Sequence, residues 1–351
     1  MNFVVICEGL AEQGAVAAVA WQQALGLSRS QTVCLITDAL SPERRQQLND
    51  ASCSLRLRVL AVPRLSVLRR FAHLSRQLLW IHRALAALGS ELSSCKTAVV
   101  LCHSHPVAAA VAWRFGARVR LVMISHGDPF LRPPGSYDPA IHWLYRRCTR
   151  PAHRHAFASV ALSPSMARQI RTHAVPQESI HLIPNGLAPA EIGLLHAPQT
   201  DVGHWQQRPL RLLFVGRLDS VKGLDVLLEA LVLLQRRGVA FRLDLIAAGT
   251  TQQWRDLLRI INGKGLSSRV HLLGRCPRTS LAAHYLESNV VVVPSRDDPL
   301  PTVVLARMEG PKGLPAPVTT CTLTLPCSTV VKLRECVPPP GRVEPGGGER
   351  T

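Results

Sequence analysis

Apolar residues along this chain come in short runs separated by longer segments with helical spacing. In the first half the runs predict strands over 3–6, 32–37, 57–62, 98–102, 119–124, 157–162 and 180–183. The spacing between them predicts helices near 13–26, 66–88, 106–115, 138–155 and 164–174. The Pro-, Gln- and His-bearing stretch 196–209 breaks this alternation and reads as a linker. A second series follows: strand 210–215, helix 222–236, strand 241–248, helix 251–262, strand 269–273, helix 279–287 and strand 290–293. Strands that alternate with helices fold as βα units around parallel sheets. The expected fold is α/β, with two Rossmann-like parallel-sheet domains and a cleft between them. The domains are 1–195 and a partial 210–309, joined by the linker and followed by a tail over 310–351.

That tail has a different composition. It carries Cys321, Cys327 and Cys336, a Pro-Pro-Pro, a Gly-Gly-Gly and only a short Thr/Val run. Such a segment cannot bury enough surface to offset its chain entropy, so disorder is expected. The second sheet would then stop after four strands with one edge open, which makes the second domain incomplete.

Composition narrows the class. With 47% hydrophobic and 18% charged residues, the 351-residue chain can build a substantial core. No apolar run approaches the ~20 residues needed to cross a bilayer. The start, Met1 to Glu8, lacks a basic lead and meets a carboxylate too early for a secretory signal, so a cytoplasmic location is expected. The ten cysteines form no CxxC pair, which fits buried thiols better than disulfides or zinc. On a strand His103 and His105 would share a face, but neither His103-Ser104-His105 nor His153-Arg154-His155 shows a third ligand, and no metal site is read anywhere. The net charge of +18 is spread over both halves and favours nucleotide phosphates, polyanions or an anionic membrane surface. No nucleic-acid module is present and aromatic stacking platforms are lacking, so no nucleic-acid partner is expected.

Two segments could carry chemistry. In Leu212–Asp225 a buried strand ends at Gly216, followed by Arg217 and, five residues on, Lys222 at the opening of a helix. Glycine lets the backbone approach an anion, arginine can fork two phosphate oxygens, and lysine adds charge near the helix start. On spacing alone, the same residues equally describe a strand–turn–helix with solvated charges. In Val290–Leu305 four valines precede Asp298, and Pro301 is suited to the first position of a helix. The N–H groups of Thr302 and Val303 would then face a phosphate, and Asp298 would accept from sugar hydroxyls or cap the helix.

In this order and spacing the two segments resemble the donor half of the retaining family 4 glycosyltransferases, which have the GT-B fold. Further matches are His181–Gly186 before the linker, Arg269–Gly274 beside the base pocket, Leu162–Met166 and the His-Gly loop Ser125–Phe130. The resemblance covers about residues 1–305. It implies metal-free, cofactor-free transfer, with retention, of a sugar from a nucleotide-sugar donor to a glycan or lipid-linked acceptor. Residues 1–195 would be the acceptor side and 210–309 the donor side. By resemblance, Arg217 and Lys222 neutralise the departing diphosphate and His126 contacts the donor sugar or shapes the reaction centre. Gly14, Gly216, Gly274, Asp298, Thr302 and Val303 would bind the donor.

The chain departs from the family at three points. The acid pair spaced by seven residues becomes Asp298 and Ala306, the closing βα units are replaced by the tail, and the first glycine loop keeps only Gly14. The first two departures meet near residue 306, which suggests a C-terminal truncation or frameshift. An inactive relative, or a nucleotide-sugar epimerase of the same architecture, is the alternative. Finally, 64–88 reads as a basic helix with an apolar stripe through Leu68, Phe71, Ala72, Ser75, Leu78, Leu79, His82 and Leu85. That stripe would either pack on the first sheet or lie on an anionic membrane.

Overall fold

A computed structural model describes residues 2–11, 14–50, 54–62, 72–93, 95, 97–127, 129, 138–186, 209–276, 278–296 and 321–322. They fall into two compact units, one within residues 1–186 and one from 209 onward.

The first unit holds a seven-stranded parallel sheet. Its strands are β1 (Asn2–Ile6), β2 (Val33–Thr37), β3 (Leu55–Val59), β4 (Ala98–Cys102), β5 (Val119–Ile124), β6 (Ala158–Ala161) and β7 (Ile180–Leu182), in the order β3-β2-β1-β4-β5-β6-β7. The helices are α1 (Ala15–Ser28), α2 (Pro42–Asp50), α3 (Ala72–Leu92), α4 (His105–Phe115), α5 (Pro139–Arg154) and α6 (Pro164–Thr172). Both faces of the sheet are covered, which is why its middle strand β4 is apolar throughout and its neighbours β1 and β5 nearly so. Val5, Cys7 and Leu35 pack with Ala17, Ala20, Trp21 and Ala24 of α1. Val4, Ile6, Val100, Leu121 and Met123 pack with Trp80, Ile81, Ala84 and Leu88 of α3 and with Val107, Ala108 and Val111 of α4.

The second unit repeats the scheme with β8 (Leu210–Arg217), β9 (Phe241–Ala248), β10 (Val270–Gly274), β11 (Val290–Val293) and the two-residue β12 (Cys321–Thr322), ordered β10-β9-β8-β11-β12. Its helices are α7 (Leu224–Arg236), α8 (Thr251–Gly263) and α9 (Arg278–Glu287). Leu224, Leu227, Leu228 and Leu231 form the buried stripe of α7 against Leu212, Phe214, Leu243 and Leu245.

The chain order of each sheet reverses once, between β1 and β4 in the first and between β8 and β11 in the second. Loops leaving the carboxyl ends of two such strands diverge in opposite directions and leave a crevice, the usual ligand position in open α/β sheets.

Four readings of the sequence need correction. Helix α2 was not foreseen, because Pro-Glu-Arg-Arg-Gln-Gln-Leu-Asn-Asp has no apolar period. In α3 the buried stripe is Gln77, Trp80, Ile81, Ala84, Leu88, Glu91 and Leu92, whereas Leu78 is half-exposed and His82 exposed. The predicted stripe was rotated because Trp80 was not counted and His82 was. His103 and His105 do not share a strand face, since His103 follows β4 and His105 opens α4. The edge of β11 that the sequence leaves open carries Cys321–Thr322, paired in parallel with Val292 and Val293. The rest of the 310–351 tail lies outside the described residues.

Cys7, Cys34 and Cys102 are buried, and desolvation raises all three thiols, Cys34 to about 11 and Cys7 to about 12. Among the described residues no helix is long and apolar enough to cross a membrane.

Candidate functional site

In the second unit the carboxyl end of β8 is Gly216-Arg217, pairing with Ala247 and Ala248 of β9. After Arg217 the chain turns through one 3-10 helix, Ser220–Lys222, capped by the Asp219 carboxylate, which accepts from the Lys222 N–H at 3.2 Å. Gly223 then adopts φ +65° and starts α7. A Cβ on Gly223 would lie 1.9 Å from the Pro294 carbonyl oxygen, so both backbone angle and space require glycine there. A Cβ on Gly216 would meet the Phe214 ring at 3.1 Å and the Lys222 stem at 3.6 Å. The Lys222 stem therefore lies alongside Gly216 at the end of the strand.

Side chains from both neighbouring strand ends hold this turn. Following β11, the Arg296 N–H donates to the Val221 carbonyl at 2.7 Å, and its guanidinium donates to the Ser220 carbonyl at 2.6 Å. The same guanidinium grips both Asp225 carboxylate oxygens in the first turn of α7, at 2.8 and 2.5 Å. Hydrogen bonding to Arg296 holds the Asp225 carboxyl below the usual carboxylate range. From the β9 side, Gln253 Nε2 donates to the Leu218 carbonyl at 2.6 Å, while its Oε1 completes a capping box with Thr250. Gly249 leaves space for Leu218, which a Cβ would meet at 2.7 Å. The basic turn is thus fixed across the β8/β11 switch point before any ligand arrives.

Arg217 pairs with Asp219 at 2.9 Å, but its side chain is 58% exposed. An exposed pair of this kind contributes little and is readily exchanged for a doubly charged ligand. Arg217 and Lys222 present two cations at one strand end, next to the start of α7, an arrangement suited to a diphosphate.

In the first unit the corresponding strand ends carry histidines. His103 after β4 is 8% exposed, and His126 after β5 is partly buried. His103 Nδ1 and His126 Nε2 are 2.9 Å apart. Burial lowers both imidazoles, His126 to about 4, so both are neutral at neutral pH. The Gly9 N–H donates to Asp38 Oδ1 at 2.7 Å, tying the loop after β1 to the end of β2, and Arg76 of α3 pairs with Asp38 at 3.1 Å.

The sequence-predicted residues distribute as follows. Gly216 and Arg217 close β8, and the Lys222 stem lies beside Gly216. Gly274 closes β10 with φ +69° at a register shift, two strands from β8, or roughly 10 Å away. Gly14 precedes α1, and His126 is at the end of β5; both belong to the first unit. Asp298, Thr302 and Val303 lie outside the described residues. Sequence reasoning missed Gly223, Asp225, Arg296 and the His103 contact. Gly223 directly after Lys222 was the available signal; the Arg296–Asp225 pairing over 71 residues had none.

Comparison with known proteins agrees with this geometry. The glycosyl transferase 4-like domain matches residues 14–186, and glycosyl transferases group 1 matches residues 209–322. Alpha-D-kanosaminyltransferase of Streptomyces kanamyceticus is 29% identical over 177 residues, 49% of this chain and 44% of that protein. The amylovoran biosynthesis glycosyltransferase AmsK of Erwinia amylovora is 30% identical over 144 residues, 40% of this chain and 33% of that protein. The matches thus span less than half the length of these relatives. Among solved structures, Anabaena HepE in complex with UDP-glucose aligns with TM-score 0.65 at 17% identity, over 88% of this chain and 78% of that one. The lipopolysaccharide outer core galactosyltransferase WaaB aligns with TM-score 0.58 at 15% identity, over the same shares of 88% and 78%. At such identities the likeness is one of fold.

Proposed function

The chain belongs to the family 4 glycosyltransferases of GT-B fold, and on that premise we propose that it transfers a sugar from a nucleotide-diphosphate donor to a glycan or lipid-linked acceptor. The reading includes retention at the anomeric carbon, no metal, and a place in surface polysaccharide or glycolipid synthesis on the cytoplasmic membrane face. One observation supports it: the Gly216–Lys222 turn, fixed at a sheet switch point, has Arg217 at the strand end and Lys222 five residues on, with the Lys222 stem beside Gly216.

In that reaction the bond between the anomeric carbon and the diphosphate oxygen breaks. Negative charge grows on the departing oxygen, and two pre-positioned cations stabilise that charge more than the ground state. The acceptor oxygen bonds to the same face of the sugar, and its proton passes to the departing phosphate. No protein nucleophile is needed. His126 is assigned to the donor sugar, and Gly274, Asp298, Thr302, Val303 and Gly14 to the remainder of the donor, as the resemblance implies.

A thermal-shift panel with UDP, GDP and ADP tests the proposal. One nucleotide is expected to raise the melting temperature of the wild type, and R217A and K222A are each expected to remove most of that rise. No shift with any nucleotide would support the inactive reading, for which Ala306 at the position of the family's second acid is the motivating observation.

A further inference from the structure

The contact between His103 and His126 fixes more than a distance. A neutral imidazole has one N–H and one bare nitrogen, so of the facing nitrogens, His103 Nδ1 and His126 Nε2, one donates and the other accepts. The other nitrogen of His103, Nε2, is buried with no hydrogen-bond partner. If His103 accepted, that nitrogen would carry a buried, unpaired N–H, the less tolerated kind of orphan. If His103 donates, the orphan is only a lone pair. The lower-energy arrangement therefore has the proton of His103 on Nδ1, pointing at His126. His126 Nε2 then accepts, and its own proton is on Nδ1, for which the described residues provide no hydrogen-bond partner.

We infer that His103 is a positioning residue that fixes the tautomer of His126, so that His126 offers an Nδ1–H donor to an oxygen of the donor sugar. The inference rests on the proposed function for its ligand, but not for the tautomer itself. It has a chemical consequence: with Nε2 engaged and Nδ1 protonated, neutral His126 has no free lone pair and cannot act as a general base. The acceptor's proton must go elsewhere, in keeping with transfer to the departing phosphate. The signal was present in the sequence as the His103-Ser104-His105 triplet, but a strand reading paired His103 with His105 instead of with a residue 23 positions on.

Two-bond proton–nitrogen NMR correlation on 15N-histidine protein reads the tautomer without substrate, with His126 assigned by its loss in H126N. The wild type is expected to show His126 protonated on Nδ1. H103A, which removes the donor and opens room for a water that can accept from Nε2, should move the His126 proton to Nε2 and weaken UDP-glucose binding about tenfold by calorimetry, with UDP binding within twofold. H103N, whose amide nitrogen can replace Nδ1, should keep the tautomer and bind UDP-glucose within threefold of wild type. Wild-type His126 protonated on Nε2, or an unchanged tautomer in H103A, overturns the inference. Should H103A fail to fold, the wild-type and H103N spectra decide. Failure of the wild type to bind UDP-glucose would count against that donor and leaves the tautomer result standing.

Discussion

At the scale of single residues, two positions bear most of the weight. Gly223 combines a left-handed backbone with a carbonyl where a side chain would go. G223A should lower the stability of the second unit by at least about 2 kcal/mol, seen in chemical denaturation, and abolish nucleotide binding. An unchanged midpoint would mean that the turn has another conformation. Arg296 acts through the turn rather than on the ligand. R296Q and D225N should each weaken UDP binding about three- to tenfold, and the double variant no further than the worse single one, because both remove the same clamp. Additive losses would show that the two residues act separately. The modest size expected reflects exposure, since the Asp225 side chain is 64% exposed.

The histidine pair makes a pH prediction. His126 titrates near 4 in the folded state against an ordinary 6.5, and His103 is also depressed. The unfolded chain takes up protons below about pH 6.5 that the folded one refuses. The stability of the first unit is therefore full above pH 6.5 and falls as pH drops towards 4. A melting temperature lower by about 5 °C at pH 4.5 than at pH 6.5 is expected, with a smaller drop in H103N/H126N. An equal drop in the variant would remove the pair as the cause.

At the scale of elements, the strands were the most readable part. Val290–Val293 and Phe241–Ala248 were foreseen to the residue, the first as an unbroken run of valines and the second as apolar residues that alternate with Arg242 and Asp244 before a fully apolar end. Helices were readable only where one face is apolar. The polar α2 gave no such pattern, and its existence depends on its place between β2 and β3. For α3 the existence of the helix was clear but its orientation was not, since the stripe includes buried Gln77 and Glu91. Glu91 is held there by Arg58 and Arg56, each at 2.8 Å, a cross-element pairing that local spacing does not reveal. The observed face predicts that W80A costs about 3–5 kcal/mol while L78S stays within about 0.5 kcal/mol in urea unfolding. Comparable losses would restore the rotated stripe. Burial of Trp80, Ile81, Ala84 and Leu88 against the first sheet also means that this stripe is already covered within the protein.

At the scale of the whole molecule, both units follow one plan: a parallel sheet with a single reversal and the candidate site residues at the strand ends beside it. The order of βα units made that plan legible, and Gly216, Arg217 and Lys222 mark the site proposed for the second unit. What holds the site was not legible, because Arg296, Gln253 and Gly249 reach the turn from segments 30 to 80 residues away in sequence. The central claim is that this turn binds a diphosphate. Calorimetry comparing UDP with UMP tests it most directly. Wild type should prefer UDP by tenfold or more, and R217A/K222A should bind the two about equally, since the second phosphate has lost its cations. An undiminished preference in the double variant would contradict the assignment.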